Sequence, residues 1–215
     1  MRKIVVLFLI CCGFFLYYFF MKDEKVVFKT YKNLKNSNIS TVDIKTLVGI
    51  NEQCFAKNRR KNMVEYAMRS GRLSSHMSRE LVEADVDRYL NRLKVNSVKN
   101  FRLRRNLTVM RKNNSIVGMY SCAKQDSFND AIFIWNVCVA PEFRGKGNGK
   151  SLVDNAIRRC GKGLEHIYLT IEKEDVRAKK LYEGFGFKTV PWFNSEDSLS
   201  EEFFNKTLMI LRQDM

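Results

Sequence analysis

The chain has 215 residues, 45% of them apolar and 28% charged, with only two prolines and eleven glycines; a collagenous or disordered chain is excluded. A length of this order holds one domain whose core is large enough to stand without disulfide staples. The net charge of +15 admits an anionic partner (nucleic acid, lipid headgroups or a phosphorylated cofactor) or a plain solvated Lys/Arg surface, which only the location of the charges separates.

Residues 4–21 form an unbroken apolar run between Met1-Arg2-Lys3 and Lys22-Asp23-Glu24-Lys25. As a helix rising about 1.5 Å per residue it spans roughly 27 Å, close to the hydrocarbon thickness of a bilayer. Tyr17 and Tyr18 near one end suit the interface. A cleaved signal peptide shares the basic start and apolar middle, but no Ala-x-Ala-like site follows. The expectation is one N-terminal transmembrane helix over residues 1–22, anchoring a domain over residues 23–215 to a membrane in single-pass fashion. Lys22, Lys25, Lys29, Lys32 and Lys35 outnumber Arg2 and Lys3, which places the domain in the cytosol. The N-x-S/T triplets at Asn38, Asn106, Asn113 and Asn205 would accept glycans only on the lumenal side, and in an Asn-rich chain such triplets arise by chance.

Residues 26–31 are β-branched and aromatic and predict a first strand. Ser40 and Thr41 cap a predicted helix that runs to about Cys54, with Val42, Leu47 and Ile50 among its apolar positions. Residues 57–75 are basic and polar and match no element. Ser78 caps a second helix, in which Leu81, Val82, Val86, Tyr89, Leu90 and Leu93 recur at helical spacing. A hairpin follows: a strand over 103–111, a turn at Lys112-Asn113-Asn114-Ser115, and a returning strand over 116–123. Residues 131–140 are almost wholly apolar, as in a central strand buried on both faces. Helix, strand, helix, strand and strand are then predicted over 151–160, 166–171, 175–183, 187–190 and 207–211. Cys54, Cys122, Cys138 and Cys160 form no C-x-x-C pair and lie near no zinc-type histidine spacing. They read as buried free thiols suited to a reducing compartment, and no metal is expected.

The stretch Val137-Cys138-Val139-Ala140-Pro141-Glu142-Phe143-Arg144-Gly145-Lys146-Gly147-Asn148-Gly149-Lys150-Ser151 carries the chemistry. A buried strand ends, and a glycine-rich loop opens a helix. Glycines let N–H groups turn inward, and a helix N-terminus adds unsatisfied donors and a partial positive charge. Together these make a pyrophosphate cradle, with Arg144, Lys146 and Lys150 adding charge. The Walker pattern fails because Arg144 stands where its first glycine is needed. The G-x-G-x-x-G fingerprint fails because Lys150 takes its last place. A glycine turn without function is the bland alternative.

With these residues in view, the chain resembles the GNAT N-acetyltransferase superfamily. That family carries an Arg/Gln-x-x-Gly-x-Gly/Ala motif after a V-x-V-x-P-like strand end, matched by Arg144, Gly147 and Gly149 behind Val137, Val139 and Pro141. Its second motif, Asn-x-x-Ala-x-x-Leu-Tyr followed by Gly-Phe, is matched by Ala178, Leu181, Tyr182, Gly186 and Phe187, with Asp175 in the place of Asn. The resemblance runs from about Val26 to the C-terminus. It implies an α/β (α+β) fold: a mixed, mostly antiparallel central sheet of about six to seven strands flanked by helices, with a splayed parallel strand pair.

It further implies that acetyl-CoA lies as co-substrate between the strands at 131–140 and 166–171. Main-chain amides of Arg144, Gly145, Lys146, Gly147, Asn148, Gly149 and Lys150 would hold its pyrophosphate. Val137 and Val139 would present main-chain groups to its pantetheine arm, and an amide near Cys138 would polarise the thioester carbonyl. Tyr182 is the implied general acid for the departing thiolate. Asp175 is carried over as a cofactor contact, although an ionised Asp lacks the amide donor of Asn. The acceptor is an amine of a protein, peptide or small molecule. Glu142 and Glu172 are the carboxylates in reach of a base role, each equally a surface residue, so the base stays unassigned. A membrane-tethered domain that binds CoA or a protein partner without transfer is the alternative reading. Nucleic-acid binding through Arg102, Arg104, Arg105, Arg111 and Lys112 is not expected, because those residues lack aromatic interleaving.

Overall fold

The computed structural model describes residues 26–34, 37–69, 78–95, 105–124, 131–191 and 205–213. The expected anchor at residues 1–22 lies outside them, and among the described residues no helix is long and apolar enough to cross a membrane. His76, Arg102, Arg104, Trp192 and Phe193 also lie outside the described residues.

In chain order the elements are β1 (Val26–Asn33), α1 (Thr41–Arg69), α2 (Arg79–Val95), β2 (Arg105–Lys112), β3 (Ser115–Lys124), β4 (Ala131–Val139), a 3-10 turn (Pro141–Phe143), α3 (Asn148–Cys160), β5 (His166–Glu172), α4 (Val176–Glu183), β6 (Lys188–Val190) and β7 (Lys206–Arg212). The seven strands form one sheet in the order β1-β2-β3-β4-β5-β7-β6. Every pairing is antiparallel except β4 with β5. The expected mixed sheet with one parallel pair is therefore present among the described residues. The hairpin between β2 and β3 turns at Asn113 and Asn114, whose φ values of 47° and 67° are those of a tight two-residue turn matched to strand twist.

Strand alternation supplies the core. On one face, Val117, Tyr120, Ile132 and Ile134 pack with Leu152, Val153 and Ala156 of α3. On the other, Leu107, Ile116 and Met119 pack with Ile44, Leu47 and Ile50 of α1. The middle strands are thus covered on both faces, as the continuous apolar run of β4 requires. Gly118 is where this sandwich is tightest. A Cβ there would stand 2.5 Å from the Cys138 carbonyl oxygen and 2.7 Å from Leu152 Cδ1.

Helix α1 is longer than its apolar pattern predicts. It continues through residues 57–69, which the sequence leaves unassigned, and its 29 residues span roughly 43 Å. Its first half is buried against the sheet. Its second half is held mainly by polar contacts. Arg60 bonds Asp87 of α2 at 2.7 and 2.9 Å and also reaches Glu83, Lys61 pairs with Glu174 at 2.7 Å, and Asn62 donates to Glu172 at 2.8 Å. Only a small cluster of Val64, Val82 and Val86 adds apolar packing between α1 and α2.

The cysteines correct an expectation. They are paired, Cys54 with Cys138 and Cys122 with Cys160, with Cα–Cα separations of 6.2 and 6.4 Å. Sequence separations of 84 and 38 conceal this, because the pairs form only once α1 lies on β4 and α3 lies on β3. Arg111, assigned above to a basic stripe, is instead paired with Asp43 of α1 at 2.8 Å.

Replacing Gly118 by Ala should destabilise the fold by about 1–3 kcal/mol, since the new methyl meets main chain that cannot move aside. Urea denaturation of the parent and the variant checks this.

Candidate active site

The site begins with an extra residue in a strand. Met119 pairs with Cys138 and Ser121 with Trp135, so two steps along β3 match three along β4. Asn136, within that excess, has φ of 54°, a left-handed conformation that Asn tolerates better than most residues. Such a bulge bends the strand that carries it and ends its regular pairing. Accordingly β4 pairs with β5 only from Ala131–His166 to Ile134–Leu169. Past those residues the strands part, and a cavity of about 740 Å³ opens between them and α1.

Residues from both strands, α1 and α4 line this cavity, among them Asn136, Val137, Glu172 and Tyr182. Ala140 donates its N–H to Val117 of β3 at 2.9 Å. Alternation along an antiparallel strand then turns the main-chain groups of Cys138 toward β3, and those of Val137 and Val139 toward the gap. The Val139 carbonyl accepts from Arg144 Nε at 3.0 Å. The same guanidinium brings Nη2 to 3.3 Å from Cys54 Sγ, so the Arg144 charge is directed at the strand end rather than along the glycine loop.

That loop closes over α3. Gly145 and Gly147 both take φ of 76°, which a side chain would strain although nothing crowds them. Asn148 is buried, and its amide donates to the Phe143 carbonyl at 2.7 Å, which fixes the turn from within. Gly147 is the N-cap residue of α3 and offers no side-chain acceptor. The first-turn amides of Asn148, Gly149 and Lys150 therefore present donors that a phosphate oxygen can fill. Lys146 reaches the Glu142 carbonyl at 3.4 Å, and Lys150 is exposed.

Asp175 caps α4, its Oδ1 accepting from the Ala178 N–H at 2.8 Å. An acceptor is what that position uses, and an aspartate serves as well as an asparagine. Tyr182 is buried on α4, with its ring edge-on to Phe187 at 5.7 Å. Burial, and secondarily the nearby charge of Asp175, hold its phenol well above the ordinary tyrosine value. The two candidate carboxylates separate cleanly. Glu142 is exposed in the 3-10 turn, whereas Glu172 lines the cavity at the end of β5, with Oε2 held by Asn62. Asn62 and Asn136 carry no motif signal and were not identified from sequence as site residues.

Comparison with known proteins follows from this geometry. Residues 73–187 match the sequence profile of the acetyltransferase (GNAT) family. No curated protein sequence matches the chain. Among solved structures, spermidine N-acetyltransferase from Vibrio cholerae in complex with CoA and spermine is similar in fold. It shows 16% identity and a TM-score of 0.51, over 89% of this chain and 97% of that one. An N-acetyltransferase from Thermoplasma acidophilum in complex with coenzyme A aligns at 16% identity and a TM-score of 0.47, over 87% of this chain and 99% of that one. Ribosomal-protein-alanine N-acetyltransferase from Brucella melitensis aligns at 15% identity and a TM-score of 0.48, over 87% and 99%.

The folded state favours the neutral Tyr182 phenol. This contribution is present below the ordinary tyrosine pKa of about 10 and is lost as pH rises past it, because the unfolded chain then ionises first. Stability should therefore fall more steeply above about pH 10 in the parent than in Tyr182→Phe, as read by denaturation across that range.

Proposed function

Since the chain belongs to the acetyltransferase (GNAT) family, we propose that it transfers an acetyl group from acetyl-CoA to a primary amine of a protein, peptide or small molecule by direct attack. The observation that carries this reading is the parting of β4 from β5 at the Asn136 bulge, in a strand whose end leads through the glycine loop into an uncapped helix N-terminus. The gap accommodates a thioester arm with main-chain groups of Val137 and Val139 along one side. The glycine loop and the first turn of α3 supply amides for a pyrophosphate. Acetyl-CoA contributes an activated acyl group, and no protein nucleophile is needed.

The chain's own residues then divide the proton work. Tyr182 remains protonated at neutral pH and serves as a donor. Its phenol is far less acidic than a thiol of pKa about 8.5, so complete transfer from Tyr182 to a thiolate is uphill. Its contribution is therefore a hydrogen bond to the developing negative charge, offered from a buried position where such a bond is strongest. The proton lost by the attacking amine must go elsewhere. Glu172 is the carboxylate in the cavity, and Asn62 fixes one of its oxygens while the other stays available to an ammonium. The non-catalytic alternative keeps one argument, because Asp175 caps α4 through Oδ1 but has no amide N–H to offer a cofactor.

Single-pass attachment through residues 1–22 belongs to this proposal, with the lysines after the run arguing for a cytosolic domain and the two disulfides for an oxidising compartment. It rests on the apolar run and on the lysines that follow it. Carbonate extraction and protease accessibility of the full chain in membranes check it.

Calorimetry of acetyl-CoA on the full chain should give micromolar binding, abolished by Gly147→Asp, which forces a carboxylate into the cradle. A screen of primary amines should then yield turnover. Tyr182→Phe should lower kcat by about 100- to 1000-fold with little change in acetyl-CoA KM, the range for loss of one donor to a developing anion. Glu172→Gln should lower kcat by about 100-fold with little change in acetyl-CoA KM. Absence of binding by a folded parent would overturn the reading.

A further inference from the structure

The Cys54–Cys138 bond lies on the wall of the cavity assigned above to CoA. Cys54, on α1, is half-buried and lines that cavity, whereas Cys138, on β4, is 3% exposed. Two further features mark this pair. Arg144 Nη2 stands 3.3 Å from Cys54 Sγ, so a cation waits beside the accessible sulfur. Cys138 Sγ lies 3.5 Å from the Ile50 carbonyl oxygen, so a thiol formed at Cys138 has an acceptor in place. The second pair, Cys122–Cys160, joins β3 to α3, and neither of its cysteines is among the residues that line the cavity. It shares the oxidation state of the first pair but not its surroundings, which makes it an internal control.

We infer that Cys54–Cys138 is a thiol-exchange site for the CoA released by the transfer reaction. The inference rests on the proposal that CoA occupies this cavity. The CoA thiol loses its proton, and the thiolate attacks Cys54 Sγ. The Cys54–Cys138 bond breaks, a CoA–Cys54 disulfide forms, and Cys138 departs as a thiolate. Cys138 then takes up one proton, so the proton lost by CoA is replaced and no external oxidant or reductant enters. Attack falls on Cys54 because Cys54, and not Cys138, is among the residues that line the cavity. The Arg144 guanidinium favours both the incoming thiolate and the negative charge shared along three sulfurs. Two consequences follow. CoA stays covalently in its own site and blocks a second acetyl-CoA. The covalent link between α1 and β4 is broken, while Ile44, Leu47 and Ile50 keep the first half of α1 on the sheet. A second thiol, attacking the CoA–Cys54 bond, reverses the modification.

The test uses the full chain purified without reductant and two probes, CoA and glutathione, at equal concentration. Intact mass under non-reducing conditions and peptide mapping locate any adduct, and calorimetry in parallel reports CoA binding. The expected result is one CoA per chain on Cys54 with one new free thiol at Cys138. Adduct formation should be about 10-fold or more faster with CoA than with glutathione, since binding converts a bimolecular step into an intramolecular one. Acetyl-CoA, which has no free thiol, should compete with the reaction and give no adduct. Arg144→Ala should slow the reaction with either thiol, whereas an effect confined to CoA would assign Arg144 to binding alone and remove it from the exchange. Equal modification of Cys122–Cys160, attachment at Cys138, or four free thiols in the purified chain would each overturn the inference. Calorimetric binding without any adduct would overturn it while leaving the acetyl-CoA reading intact. Absence of binding by the folded chain would overturn both.

Discussion

The site depends on one extra residue in β4. A sheet that kept its register from Ala131 to Val139 would leave β4 and β5 paired to their ends, and no gap would open between them. The left-handed backbone at Asn136 breaks that register, and the pairing of β4 with β5 stops at Ile134 and Leu169. Asparagine is suited to the task, because its short polar side chain tolerates φ above zero. The gap therefore originates in backbone geometry rather than in any catalytic side chain. Tyr182 and Glu172 line an opening that they do not create.

Support for that opening comes from both faces of the sheet. Gly118 lets Leu152 of α3 press close behind the bulged strand, while Ile44, Leu47 and Ile50 of α1 fill the opposite side. Close packing of this kind leaves β4 little freedom to slide back into register. The parting of the strands is thus held by the core.

Much of the architecture was legible in the sequence, and the reasons are physical. Alternation in 105–112 and 115–124, the Asn-Asn turn between them and the apolar run at 131–139 each carry a local signal with one structural meaning. The glycine loop carries one too, although the helix it opens is expected from residue 151 and begins at Asn148. The second half of α1 carried no such signal. Arg60, Lys61 and Asn62 tie it to Glu83, Asp87, Glu172 and Glu174, and its apolar contact with α2 is confined to a small patch around Val64, too short a stripe to betray it. The cysteine pairs were hidden because a bond between distant residues depends on tertiary arrangement. Glu172 could be named only as one of two carboxylates, since what separates it from Glu142 is the side of the strand gap on which each lies. Asp175 read as a departure from the family pattern; its capping bond to Ala178 explains the acceptor there, while the amide donor of Asn is still missing.

The mixed anchoring of α1 divides the molecule by its response to electrolyte. Toward its start the helix adheres through buried Ile44, Leu47 and Ile50, a kind of contact that ordinary salt hardly weakens. Toward its end it is tied through Lys61–Glu174 and the Arg60 cluster, whose side chains are largely in water and are screened over about 8 Å at physiological ionic strength. Rising salt thus weakens the ties at the Glu172 side of the cavity and leaves the apolar attachment of the first half of α1 in place. The two halves of one helix carry different stiffness, and the ionic surroundings adjust only one of them.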